Sequence, residues 1–176
     1  FTAVSLGFFD HHPASSAAFD ELARNLRCDA DALERILGVC TGLRLLQRTR
    51  EHYHNLPVAT RFLRVESPET LSGYILYSDR ISFRLWQHLE DAVREGSHRW
   101  EQEFGFSEGI FGHLFATEKD KLTFLAGMNG HGLLSSPAVV AAFDLGRFRR
   151  MVDLGGATGH LVIAACRRYP ALHATV

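Results

Sequence analysis

Residues 151–176 limit the possible folds of this chain most sharply. A short apolar run, Met151-Val152-Asp153-Leu154, leads into Gly155-Gly156-Ala157-Thr158-Gly159. Leu161, Val162, Ala164, Ala165 and Cys166 then follow at helical spacing, and His173-Ala174-Thr175-Val176 reads as a second extended run. Strand, tight glycine turn, helix and strand in that order make a β-α-β unit, whose two strands pair in parallel. The sequence stops inside the second strand, and two short strands do not make a self-sufficient sheet. The expectation is therefore the opening of a larger α/β domain.

A glycine turn between a strand and a helix presents backbone N–H groups and the positive end of the helix to any ligand lying across it. Glycine permits positive φ and close approach of a ligand to the backbone. The spacing here is not G-x-G-x-x-G, and Gly159 is followed by His160 rather than by a P-loop lysine, so phosphate binding is disfavoured. On glycine count alone, a cofactor cradle and a plain tight βα turn both remain open. Asp153 has two readings as well: it positions a hydroxyl-bearing or cationic ligand, or it caps the turn's own N–H groups.

The preceding residues read as helical. Phe19, Leu22, Ala23 and Leu26, then Leu33, Ile36, Leu37 and Cys40, recur at spacings of three and four, which predicts two amphipathic helices between Ser15 and Gln47. The break between them, Arg27-Cys28-Asp29-Ala30-Asp31, supplies aspartates for an N-cap and first turn. A hairpin, or wing, is expected over Gln47 to Asn55 with its turn at Arg50-Glu51. Ser67-Pro68-Glu69 is expected to open another helix, continuing or restarting through Trp86, Leu89 and Val93 to Gly96. From Ser107 to Phe143 helices are expected again, as Glu118 to Met128 and a separate piece, Ser136 to Phe143, with Pro137 at its start.

Composition excludes several classes. Of 176 residues, 46% are hydrophobic and 22% charged, an ordinary globular balance that rules out disordered and disulfide-scaffold chains. With 19 basic against 20 acidic residues there is no overall field to recruit nucleic acid or a membrane surface. Cys28, Cys40 and Cys166 form no C-x-x-C pair, which suits buried thiols in a reducing compartment, and no apolar run approaches the roughly 18 residues of a membrane span. A cytoplasmic protein is expected. A helix pair followed by a wing is also the outline of a DNA-binding regulator. The N-terminal end of its second helix, however, carries Asp29, Asp31 and Glu34, which would face phosphates. His11-His12 and His52-Tyr53-His54 lack the ligand spacing of a metal site.

Asp153-Leu154-Gly155-Gly156-Ala157-Thr158-Gly159, with Arg168-Tyr169-Pro170 and Ala174-Thr175-Val176 behind it, resembles the first S-adenosylmethionine motif of the class I O-methyltransferases. The closer resemblance is to the acetylserotonin/hydroxyindole and caffeate type, and it runs in order through the chain. Gly7-Phe8-Phe9-Asp10, the segment Trp86 to Gly96, Phe124-Leu125-Ala126-Gly127-Met128 and the link Ala142 to Phe148 all share it. The resemblance implies a mainly α chain with a winged-helix-like dimerisation domain (1–100) and a helical linker with substrate-pocket helices (101–150). The first β-α-β of a truncated Rossmann-like α/β methyltransferase domain (151–176) would follow.

It further implies that Asp153, Gly155, Gly156, Ala157, Gly159 and Phe115 bind S-adenosyl-L-methionine, and that Met128 and His131 line the pocket of a small acceptor, an aromatic hydroxyl compound. A homodimer with no metal, nucleic-acid or membrane partner goes with it. By the same resemblance, the general base and the acid that holds the ribose lie beyond Val176, so no catalytic residue is assigned within these residues. A non-catalytic, methyltransferase-like dimerisation module is the rival reading. One departure stands out: Ala157 occupies a position where the family has glycine, which hinders close approach there.

Overall fold

In a computed structural model describing residues 1–11, 17–105 and 110–176, contacts divide the chain into two units, Phe1–Leu76 and Tyr77–Val176. Ser15, Ser107 and His12 of the expectations above lie outside the described residues. Both units are mainly helical.

The first unit opens with α1 (Thr2–Ser5) and a 3₁₀ turn, Phe8–His11, whose Phe8 and Phe9 are buried edge to face with ring centroids 5.3 Å apart. Next come β1 (Ala17–Ala18), α2 (Phe19–Leu26) and α3 (Ala30–Gly42), the two helices falling where the apolar periodicity places them. Asp29 is the N-cap of α3: its carboxylate accepts the Ala32 N–H at 2.9 Å, satisfying one of the helix's orphan donors. Leu33, Leu37 and Cys40 form the buried stripe of α3 and pack with Leu22 of α2, Leu46 and Tyr53 into the core of this unit. Burial pushes the Cys40 thiol above its ordinary value, as suits an inert core sulfur.

Strands β2 (Leu46–Thr49) and β3 (His52–Asn55) make the expected hairpin, paired from Leu46↔Asn55 to Thr49↔His52. Arg50 takes the left-handed turn position at φ 55°, and Arg48 Nε–H donates to its carbonyl at 3.0 Å. Helices α4 (Pro57–Phe62) and α5 (Ser72–Tyr77) follow.

Two expectations are corrected in this region. Helix does not reach back through Ala17-Ala18: those residues pair with Tyr53 and His52 on the free edge of the hairpin, and strand pairing overrides the helical preference of alanine. Nor does Ser67-Pro68-Glu69 start a helix. Glu69 is held by Arg61 through two hydrogen bonds (2.7 and 2.5 Å) and Ser67 Oγ–H donates to the Arg61 carbonyl at 2.5 Å, which folds the segment into turns. Helix α5 begins only after Thr70, whose Oγ1 accepts the Ser72 N–H at 3.2 Å.

In the second unit a five-residue π turn, Ser78–Ser82, leads into α6 (Phe83–Trp86), α7 (Leu89–Glu95), α8 (Trp100–Phe104) and α9 (Ile110–Leu114). Gly96 ends α7 in the left-handed C-cap conformation, φ 66°. Trp86 is 65% exposed, so it is not part of this unit's core.

Helix α10 runs unbroken from Glu118 to Ala142, capped by the Thr117 side chain, with Pro137 inside it. The expected break before Pro137 is absent. Ser136 and Val140, flanking the proline, are both buried, and Val140 packs with Ala165 and Leu172, so tertiary contacts hold the backbone helical across it. Strand β4 (Arg150–Val152), α11 (His160–Arg168) and β5 (His173–Thr175) complete the chain. The strands pair in parallel, Arg150↔His173 to Val152↔Thr175, which is the crossover expected from sequence.

Candidate functional site

The turn between β4 and α11 is held open by its backbone. Gly155 and Gly159 have φ 72° and 73°, and Ala157 sits at φ 46°, a left-handed conformation that costs a non-glycine residue about 1 kcal/mol. A Cβ built on Gly155 would meet nothing within 4 Å, and Leu154 beside it is 91% exposed, so this side of the turn faces open space. Gly156 is the reverse case. A Cβ there would lie 2.5 Å from Asp153 Oδ2 and 3.0 Å from Val176 Cγ1, so the Asp153 carboxylate is tucked against the turn backbone.

The Asp153 main chain is fixed by donating its N–H to the Thr175 carbonyl at 2.9 Å, while its carboxylate has no hydrogen-bond partner among the described residues. Gly159 N–H closes the turn on the Gly156 carbonyl at 2.7 Å. Helix α11 has no side-chain cap, and its first intrahelical donor is Ile163, bonded to the Gly159 carbonyl. Among the described residues the N–H groups of His160, Leu161 and Val162 therefore have no partner at this helix end, beside a carboxylate that also lacks one. Such an arrangement holds a ligand carrying both an anionic group, for the N–H groups, and a hydroxyl or cationic group, for Asp153.

Helix α10 braces this turn through residues whose pairing sequence inspection missed. His160 Nε2–H donates to Asn129 Oδ1 at 2.6 Å, and a Cβ on Gly132 would lie 2.8 Å from His160 Cβ. Asn129 and Gly132 share one face of α10, and the missing side chain at Gly132 lets α11 lie almost against the α10 backbone. The only sequence signal was a pair of glycines, Gly130 and Gly132, inside a helical stretch, where glycine is costly unless something packs close.

Of the other residues singled out from sequence, Met128 is half-buried on α10, one turn before Gly132. His131 is exposed and about 200° round the helix from Asn129, with its carbonyl accepting from Ser135 Oγ at 2.9 Å. Phe115 is 45% exposed, its ring stacked on Phe111 at 5.9 Å and edge-on at 5.6 Å to Phe124, which lies one helical turn before Met128 on α10. Among the described residues no three His, Cys, Asp or Glu side chains come together as a metal site, and no helix is long and apolar enough to cross a membrane.

A parallel β-α-β with a glycine-lined turn at an uncapped helix end recurs in several ligand-binding classes of α/β domain. Comparison with known proteins says which one: residues 86–176 match the model of the O-methyltransferase domain, and residues 1–65 match that of the O-methyltransferase dimerisation domain. The chain belongs to the O-methyltransferase family. It is 34% identical to the acetylserotonin O-methyltransferase of Gallus gallus over 183 residues and 33% identical to that of Bos taurus over 186. All of this chain and 53% of each relative are covered. Among solved structures, human N-acetylserotonin methyltransferase in complex with SAM superposes with a TM-score of 0.90 at 31% identity, covering 99% of this chain and 53% of that one. The chain thus spans about half the length of the relatives it matches.

Proposed function

We propose that this chain forms part of an S-adenosylmethionine-dependent O-methyltransferase acting on a hydroxyl of a small aromatic molecule, with residues 153–160 as its cofactor cradle. The coincidence of the O-methyltransferase match with an open turn at an uncapped helix end, beside an unpartnered carboxylate, carries this reading. The residues present suit the cofactor. Asp153 offers a carboxylate to a hydroxyl or ammonium group, the N–H groups at 160–162 offer donors to a carboxylate, and the space over Gly155 admits a flat body against the backbone. When bound, S-adenosylmethionine supplies an electrophilic methyl group together with its own leaving group. The protein's task is then to align, to exclude water and to take up the acceptor's proton.

In this chain Gly155, Gly156, Ala157 and Gly159 shape the cradle, and Asn129 and Gly132 fix the α11 end through His160. Met128, with Phe115 behind Phe124, walls the acceptor side, and His131 stands at its margin. The finer architecture belongs to the same proposal: α2, α3 and the hairpin as a winged-helix-like dimerisation domain (1–100), a helical linker (101–150), and the first β-α-β of a Rossmann-like domain (151–176). The match to a dimerisation domain supports a homodimer. We do not extend the winged-helix likeness to DNA, because Asp29 caps the α3 end that would enter a groove and Glu34 nearby pairs with Arg48 at 2.9 Å.

Calorimetric titration with S-adenosylhomocysteine tests the proposal. The protein should bind it, and Gly155→Arg, which fills the open side of the turn, should abolish binding with the helical circular dichroism unchanged. Absence of binding by the unaltered protein, or equal binding by the variant, would overturn it.

A further inference from the structure

Arginine is concentrated at one end of the β-α-β unit. Arg147 and Arg149 precede β4, Arg150 opens it, Arg167 and Arg168 close α11, and His173 opens β5; all six residues are exposed. In a parallel crossover the helix runs against the strands. The end of α11 therefore returns to the level at which β4 and β5 begin, about 13 Å along the helix from the glycine turn. Hydrogen bonds fix that end. The His173 N–H donates to the Arg149 carbonyl at 3.0 Å, the Leu172 N–H to the Tyr169 carbonyl at 2.9 Å, and the Tyr169 hydroxyl to the Phe143 carbonyl at 3.1 Å. The arginines thus stand on a platform backed by the buried Val140, Ala165 and Leu172.

Their charge is not neutralised. None of the five arginines has a carboxylate partner among the described residues, whereas Arg84, Arg94 and Arg99 of the same unit pair with Glu103, Glu90 and Glu95. From residue 121 onward only Asp144 and Asp153 are acidic. Asp153 follows the far end of β4, and the Asp144 carboxylate already accepts the Gly146 N–H at 2.9 Å. The chain's overall charge of −1 conceals this local excess. Like charges held so close repel one another, and an anionic partner relieves that repulsion.

Apolar surface accompanies the charge. Phe143 and Phe148 are both exposed, and with Leu145 and Arg147 they line a cavity of about 370 Å³. Spread positive charge and exposed phenyl rings are the two signals that together hold a protein on an anionic bilayer: the first attracts headgroups, the second enters the boundary with the acyl chains. Single-stranded nucleic acid suits this surface less well. Arg147 covers the Phe148 ring at 4.8 Å and Arg168 the Tyr169 ring at 5.8 Å, occupying ring faces on which bases would stack.

We propose that this end of the β-α-β unit docks on an anionic lipid surface, with the arginines against the headgroups and Phe143 and Phe148 at the acyl boundary. The surface lies at the opposite end of the unit from the glycine turn, and the proposal does not depend on the methyltransferase reading. Co-sedimentation with lipid vesicles tests it. The variants are Arg147→Gln, Arg149→Gln and Arg167→Gln, singly and combined, together with Phe143→Ala. A control, Arg24→Gln/Arg27→Gln/Arg44→Gln, removes three exposed arginines of the first unit. Thermal unfolding by circular dichroism reports on folding of each.

The unaltered protein should pellet with vesicles of about 30% phosphatidylserine in phosphatidylcholine, not with phosphatidylcholine alone, and should be released by about 0.5 M salt. Each single arginine substitution should weaken binding about 5-fold and the combined variant on the order of 100-fold, with the control losing less than about 5-fold. Phe143→Ala should also weaken it, by about 5-fold. Failure to pellet with the anionic vesicles, equal pelleting with neutral ones, a control as weak as the combined variant, or indifference to Phe143→Ala would overturn the inference. So would release from the vesicles by poly-uridylate at equal charge, which would identify a nucleic-acid surface instead.

Discussion

Gly132→Ala should be harmful although alanine is the better helix former. At an unconstrained helical position the change gains about 1 kcal/mol in propensity. Gly38, in the middle of α3, is such a position, since a Cβ there meets nothing within 4 Å. At Gly132 the new Cβ falls 2.8 Å from His160 Cβ and 3.1 Å from two of its ring carbons. His160 Cβ is fixed to the α11 backbone, so relief requires α11 to move, and such overpacking costs about 1–3 kcal/mol.

The Asn129–His160 hydrogen bond, 2.6 Å long, is strained by the same shift and puts about 1 kcal/mol more at risk. The net expectation for Gly132→Ala is a loss of about 1–3 kcal/mol, against a gain of up to about 1 kcal/mol for Gly38→Ala. Thermal unfolding followed by circular dichroism separates them, at about 4–8 °C per kcal/mol for a unit of roughly 100 residues. Adding His160→Ala should not rescue Gly132→Ala, because alanine keeps the offending Cβ, whereas His160→Gly should relieve the contact. A Gly132→Ala protein as stable as Gly38→Ala would refute the close helix crossing.

Asp29→Ala should cost about 0.5–2 kcal/mol by removing the α3 cap, while Asp29→Asn, which still accepts from Ala32, should be near neutral; urea midpoints decide it. The His88 hydrogen bond, with the Arg84 guanidinium beside it, holds the Glu103 carboxyl below the usual carboxylate range. Its stabilising contribution is therefore complete above the unfolded value, about 4.3, and is lost as pH falls through the lower folded value. The stability advantage of the unaltered protein over Glu103→Gln should shrink below about pH 5 in urea titrations, and an advantage constant down to pH 3 would contradict the pairing. Gly156→Ala, whose Cβ would strike the Asp153 carboxylate, should weaken S-adenosylhomocysteine binding by about 10-fold or more, as measured by calorimetry.

Local signals account for the features that sequence inspection located. Helices α2 and α3 follow from apolar spacing and from Asp29, the hairpin from a polar run between apolar ones, and the β4-turn-α11-β5 unit from glycines between apolar segments. What it missed depends on partners distant in sequence. Ala17-Ala18 is a strand only because the hairpin offers an edge, and Pro137 stays helical only because Ser136 and Val140 are buried around it.

The site divides in the same way. The turn's backbone was legible in its glycines, and Asp153 in its position at the strand end. The brace from Asn129 and Gly132 to His160 joins residues 31 positions apart for the hydrogen bond, and locally only the glycines at 130 and 132 mark it.

The central claim, that residues 153–160 hold the cofactor, is tested most directly by following backbone amide resonances while S-adenosylhomocysteine is added. The amides of Gly155 to Val162 should shift first and furthest, with Asn129 and His160 following through their shared hydrogen bond. Shifts confined to residues 1–76, or a spectrum that does not change at saturating ligand, would contradict the account.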